Sequence, residues 1–127
     1  MCKMPQEKSK RILAVDDSEV ICNRLCSMLS EIDNVDVVGQ ARNSSEGYEL
    51  YGTLKPDIII LDIRLPDENG ISLLKKIKAE DSEITIVMFT NYPYLAYKKR
   101  CVELGAGHFF DKSTELEKLV DLISAHH

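Results

Sequence analysis

The sequence predicts an α/β fold, a doubly wound five-stranded parallel sheet with helices on both faces. Three observations carry that expectation. Short apolar runs alternate with helical patterns along the 127-residue chain, the signature of successive β-α units. Two of the runs, 57–61 (DIIIL) and 84–89 (ITIVMF), are almost continuously apolar, as strands covered on both faces of a parallel sheet must be. Apolar residues make up 44% of the chain, enough for one soluble core, and the length fits one domain and not two.

The first strand is read at 11–16 (RILAVD). Ser18 then caps a helix whose stripe is Ile21, Leu25, Met28, Leu29 and Ile32, at helical spacing. A second strand at 35–40 (VDVVGQ) leads to a helix marked by Gly47, Leu50, Tyr51 and Leu54. Pro56 precedes the third strand, 57–61, and Leu73, Leu74 and Ile77 mark the helix after it. The fourth strand, 84–89, is followed by a helix at 92–104 with Gly105 as its stop. The fifth, 107–110 (GHFF), leads to a helix at 114–125 carrying Leu116, Leu119, Val120 and Ile123, with Thr114 and Glu117 at capping-box spacing. Residues 10–125 form the domain, with tails at 1–9 and 126–127.

Charge and composition exclude several functions. The net charge of −5 argues against direct nucleic-acid binding, which needs clustered Lys and Arg. The run Lys98-Lys99-Arg100 is read as a solvated helix face. No apolar stretch reaches the roughly 20 residues that span a bilayer, and the polar start MCKMPQEKSK lacks a secretory core, so no membrane role and a cytoplasmic location are expected. Cys2, Cys22, Cys26 and Cys101 show no disulfide framework and are read as reduced thiols rather than metal ligands.

In a sheet of this kind reactive groups collect at the carboxyl ends of the strands. Those ends carry the adjacent carboxylates Asp16 and Asp17, then Asp62, Thr90 and Lys112. One strand-end Asp often only caps the next helix. Charged or polar groups at four of five strand ends are a different matter. Three converging carboxylates repel one another, and a hard divalent ion relieves that; with no Cys/His set and no calcium loop, the ion expected is Mg²⁺. Lys112 then offers a compact positive charge to a phosphoryl group, Thr90 offers a hydroxyl, and Asp62 is left as the nucleophile that forms an aspartyl phosphate.

The segments AVDDSEV, IIILDIRLPDENGI, VMFT and HFFDKS resemble the response-regulator receiver domain of two-component signalling, over about residues 10 to 125. The resemblance implies the flavodoxin-like strand order 2-1-3-4-5, known from a chemotaxis member of that family. It implies that Asp16 and Asp17 are the acidic pair at the Mg²⁺ site, Asp62 the phospho-acceptor, and the Arg64 backbone carbonyl a further metal ligand. Pro66 and Gly70 match the loop pattern D-x-x-L-P-x-x-x-G. Thr90 matches the switch hydroxyl, Phe109 the switch aromatic and Lys112 the lysine of the motif. The implied function is Mg²⁺-dependent phosphoryl acceptance from a sensor histidine kinase or phosphotransfer protein. Acceptance would switch the surface formed by helix 92–104, strand 107–110 and helix 114–125 toward a downstream target or a second copy. Tyr97 and Arg100 are expected on that surface.

Departures from the family pattern carry expectations of their own. Asn91 follows the threonine where a small residue is usual, and would narrow access for small phosphodonors. Arg64 and Tyr92 occupy positions that tune hydrolysis, and their bulk implies a long-lived phosphoryl group. Ser113 follows Lys112 where a cis proline is usual, leaving the isomer of that bond open. VDVVGQARNSSEGYEL resembles receivers that carry a helix-turn-helix output domain, so an excised receiver of a DNA-binding regulator is the first alternative. The second is an Asp-nucleophile phosphatase of haloacid-dehalogenase type, which would want an Asp where Arg64 stands. The protein is therefore expected to be a phosphoryl-accepting switch and not an enzyme. A flavin protein is disfavoured because DDSE puts two anions where a phosphate loop would be needed.

Overall fold

The computed structural model describes residues 9–125. The tails expected at 1–9 and 126–127, with Cys2 in the first, lie outside the described residues except for Ser9. Five strands, β1 (Lys10–Val15), β2 (Val35–Ala41), β3 (Ile58–Leu61), β4 (Thr85–Thr90) and β5 (His108–Asp111), alternate with five helices. These are α1 (Glu19–Leu29), α2 (Ser44–Leu54), α3 (Gly70–Glu80), α4 (Leu95–Glu103) and α5 (Leu116–Ala125). All strand pairs are parallel and the order is β2-β1-β3-β4-β5.

The alternation of side chains along each strand divides the core in two. Leu13, Val15, Ile59, Leu61, Ile86 and Met88 face the side covered by α2, α3 and α4, where Leu73, Leu74, Ile77 and Cys101 meet them. Ile12, Ile58, Ile60, Val87 and Phe89 face α1 and α5, through Leu25, Leu29, Leu119 and Ile123. β3 is buried at all four positions, which is why its sequence shows no polar alternation. On the first face, α2 and α3 are clamped from outside: the Tyr48 hydroxyl donates to Glu80, and the Lys76 ammonium sits 4.0 Å over the Tyr48 ring.

The strand boundaries shift by a residue from expectation, as pairing dictates: Lys10 pairs with Val35, and Thr90 and Asp111 form the last pair of β4 and β5. The helix at 92–104 begins later, at Leu95. Pro93 keeps Tyr92 out of the helical region, and Tyr94 is extended at φ −73°, ψ 142°, so the first turn cannot include them. The helix at 114–125 likewise begins at Leu116. The backbone N–H groups of Thr114 and Glu115 are taken by the Asp111 carbonyl, which makes a turn where a capping box at Thr114 and Glu117 was expected. Ser18 does cap α1, accepting from the Ile21 N–H. Gly105, at φ 106°, ends α4 in a conformation that suits a residue without Cβ.

Candidate phosphoryl-acceptor site

The parallel sheet delivers its strand ends to one edge. Asp16 follows β1, Asp62 follows β3, Thr90 ends β4 and Lys112 follows β5. Asp16, Asp17 and Asp62 come together so that one carboxylate oxygen of each lies within 4.8 Å of the others. Asp16 and Asp62 are buried, 4% and 5% exposed, while Asp17 faces solvent. The Lys112 ammonium lies between the two buried carboxylates, 2.6 Å from Asp16 Oδ2 and 2.7 Å from Asp62 Oδ2. The other oxygens are also engaged. Asp16 Oδ1 accepts from the Ser18 N–H at 2.9 Å, and Asp62 Oδ1 from the Ile63 N–H at 2.7 Å.

Burial sets the electrostatics. It pushes the Asp16 carboxyl above its ordinary range, against the lowering effect of Lys112 and the Ser18 N–H. It also works against the Lys112 ammonium, but the hydrogen bonds and charges of Asp16 and Asp62 together exceed it, so that lysine is held protonated. Three carboxylates against one ammonium leave the ionised site two negative charges in excess. The donors are all hard oxygens. That set fits a Mg²⁺-like ion, which takes one or two carboxylates and completes its shell with carbonyls, waters and phosphate oxygens.

A cavity of about 360 Å³ opens above Asp62, lined by Asp17, Ser18, Arg64, Leu65, Pro66, Asn91, Tyr92 and Lys112. Two loops wall it. The Arg64 guanidinium stacks over the Tyr92 ring at 4.4 Å and joins them. Thr90 is fully buried, and its hydroxyl oxygen accepts from the Tyr92 N–H at 3.1 Å. Phe109 stands apart from the cavity, half-buried against the core beneath α2, α3 and α4. Tyr97 and Arg100 lie on α4. Arg100 is exposed and pairs with Glu103 at 3.6 Å, whereas Tyr97 is half-buried against the same core. The exposed apolar groups of that region are Tyr94, Leu95 and Val102, of which sequence reasoning had not singled out Leu95 and Val102.

Two supporting residues were also missed or only pattern-matched. A Cβ on Gly70 would overlap the Asp62 carbonyl oxygen, so the start of α3 can press on the end of β3 at Asp62 only because that residue is glycine. Asp67 accepts from the Ser44 and Ser45 N–H groups at 2.8 and 3.0 Å, fastening the loop after Asp62 to the positive end of α2. Its only local signal is a carboxylate in a loop. The helix it caps was expected from Gly47, Leu50, Tyr51 and Leu54, and its N-terminus is closed by Asn43, which accepts from the Glu46 N–H. The Lys112–Ser113 bond is trans, as are all peptide bonds among the described residues. The thiols of Cys22, Cys26 and Cys101 are free, and burial pushes those of Cys22 and Cys101 up to about 11.

A buried aspartate with a lysine and an acidic pair, on the carboxyl edge of a 2-1-3-4-5 sheet, defines a phosphoryl-acceptor class of site. Comparison with known proteins agrees. The family described as "Response regulator receiver domain" matches residues 12–124, and the chain belongs to that family, whose members act in two-component phosphorelay signalling. It is 32% identical to the chemotaxis protein CheY of Halobacterium salinarum over 116 residues, covering 91% of this chain and 95% of that one. It is 35% identical to a protein-glutamate methylesterase/protein-glutamine glutaminase of Clostridium acetobutylicum over 116 residues, 87% of this chain and 34% of that protein. The chain thus spans about a third of that relative's length. A crystal structure of a Burkholderia pseudomallei response regulator "with a phosphorylated aspartic acid, calcium ion and citrate" superposes with a TM-score of 0.80 at 27% identity, covering 91% of this chain and 66% of that one.

Proposed function

We propose that this receiver, as the unit 10–125, accepts a phosphoryl group on Asp62 from a histidine kinase or phosphotransfer protein. The observation that carries the reading is the Lys112 ammonium bridging Asp16 and Asp62 in a cavity open to solvent. An Asp62 carboxylate oxygen attacks the donor phosphorus. The O–P bond forms as the N–P bond of a phosphohistidine breaks, and the imidazole leaves. Asp16, Asp17, Asp62 and the Arg64 carbonyl would hold Mg²⁺, which supplies charge neutralisation to the phosphoryl oxygens. Lys112 stays protonated and can pair with one of those oxygens. Thr90, freed from the Tyr92 N–H, can donate its hydroxyl to another.

The switch would be read on α4, β5 and α5, with Phe109 following Thr90 inward and a downstream protein or a second copy binding outside. Tyr94, Leu95, Arg100 and Val102 are exposed there, and Tyr97 packs beneath them as the link to the core. The Arg64–Tyr92 stack and Asn91 at the cavity mouth support slow entry of water and small donors, hence a long-lived phosphoryl group. Among the described residues no helix is long and apolar enough to cross a membrane, and a cytoplasmic place of work is part of this proposal. The esterase activity in the Clostridium relative's name is not carried over, since the match covers 34% of that protein.

Intact mass tests the reading. With Mg²⁺ and acetyl phosphate, or a histidine-kinase donor where Asn91 excludes the small one, the wild type gains one phosphoryl group. Asp62→Asn gains none, and prior chelation prevents the gain. An adduct that persists in Asp62→Asn places the chemistry elsewhere. Loss of the group within seconds of donor removal contradicts the long lifetime.

A further inference from the structure

The bridge between Asp16 and Asp62 depends on a long, flexible side chain reaching the same point every time. Lys112 is fixed there with a side chain only 4% exposed, yet its own contacts explain only the ammonium end. Its backbone sits in a turn between β5 and α5, and the restraints on that turn come from the residues on either side. Asp111 Oδ1 accepts from both the Ser113 N–H, at 2.9 Å, and the Ser113 hydroxyl, at 2.7 Å. The Asp111 carbonyl accepts from the Glu115 N–H at 2.8 Å and the Thr114 N–H at 3.3 Å. The Asp111 N–H donates to Glu115 Oε1 at 2.9 Å. Lys112 itself contributes one backbone bond, from its N–H to the Thr90 carbonyl at 2.9 Å.

We infer that Asp111 is a positioning residue for Lys112, its carboxylate closing a turn over Ser113 that aims the lysine between Asp16 and Asp62. No ring restrains the backbone at position 113, so a hydrogen-bonded side chain must do it, the usual work of an Asp two residues before the amide it captures. Glu115 holds the other end of the same turn. The two acidic groups stay outside the acceptor cavity. The Ser113 hydroxyl and N–H hold the Asp111 carboxyl below the usual carboxylate range, keeping it an ionised acceptor. The turn also ties the fourth and fifth strand ends together, because Asp111 pairs with Thr90 in the sheet. The consequence for phosphoryl acceptance rests on the function proposed above; the placement of the ammonium does not.

Nitrogen-detected NMR of lysine ammonium groups reads that placement directly. In the wild type the Lys112 Nζ protons exchange slowly, and the signal is assigned by its loss in Lys112→Ala. Asp111→Ala is expected to speed that exchange at least about tenfold while the backbone amides of β1 and β3 keep theirs, which a general loss of stability would not allow. Asp111→Asn keeps an acceptor oxygen at the same place and restores slow exchange. Should Asp111→Ala not fold, Ser113→Ala removes one of the two bonds and gives a smaller acceleration. Unchanged exchange in Asp111→Ala, or in Ser113→Ala where that is the variant measured, overturns the inference, as does an Asp111→Asn variant that behaves like the alanine. In the same preparations Asp111→Ala takes up phosphate about tenfold more slowly than the wild type. A wild type that takes up none sinks the functional reading and leaves the exchange result standing.

Discussion

Asp67 and Gly70 show what single residues contribute around Asp62. The Asp67 carboxylate, hydrogen-bonded first by the Ser44 N–H and then by the Ser45 N–H, is held below the usual carboxylate range. A carboxyl with a lower pKa folded than unfolded stabilises the fold above its unfolded value and loses that contribution as pH falls through the folded one. Below about pH 4, Asp67→Asn should therefore lose stability less steeply than the wild type in denaturant titrations. Parallel curves would mean the loop is not tied to α2 by charge. Asp67 was unremarkable in the sequence because its partners lie 22 and 23 residues away. Gly70 was legible as part of a pattern, but the reason for it, the Asp62 carbonyl against its Cα, appears only in three dimensions.

At the level of elements, α4 and α5 differ in what their apolar residues do. Leu119 and Ile123 of α5 are fully buried against β1, β3 and β4. On α4, Leu95 is 72% exposed and Val102 59%. Leu119→Ala should cost about 2–5 kcal/mol in equilibrium unfolding. Leu95→Ala should stay within about 0.5 kcal/mol while weakening any phosphorylation-dependent association. A Leu95 variant as destabilised as Leu119→Ala would place α4 in the core and remove it as an output element. The i, i+3, i+4 stripe of α5 predicted its buried face. The start of α4 was misplaced because the helix was read from Tyr92, whereas Pro93 decides the backbone there.

Across the whole molecule, the sheet brings to one edge three carboxylates that come from two strand ends far apart in sequence, Asp16 and Asp17 from one and Asp62 from the other. A cation held there stabilises only the folded chain. At a hundred times its dissociation constant Mg²⁺ should add about 2.7 kcal/mol, seen as a rise in melting temperature. Asp17→Asn, which leaves the Lys112 bridge untouched, should lose most of that rise; the full rise in Asp17→Asn would put the ion elsewhere. The alternation of strands and helices, the two-sided core and the acidic and basic residues at the strand ends were readable along the chain, because periodicity and turn chemistry are local. That Lys112 bridges Asp16 and Asp62, that Arg64 closes on Tyr92, that Asp67 fastens the loop after Asp62 to α2, and that Tyr97 packs inward while Leu95 does not came from the three-dimensional packing alone. Each of those contacts joins residues separated by a strand, a helix or a turn, and their partners are chosen by packing, which no local pattern records.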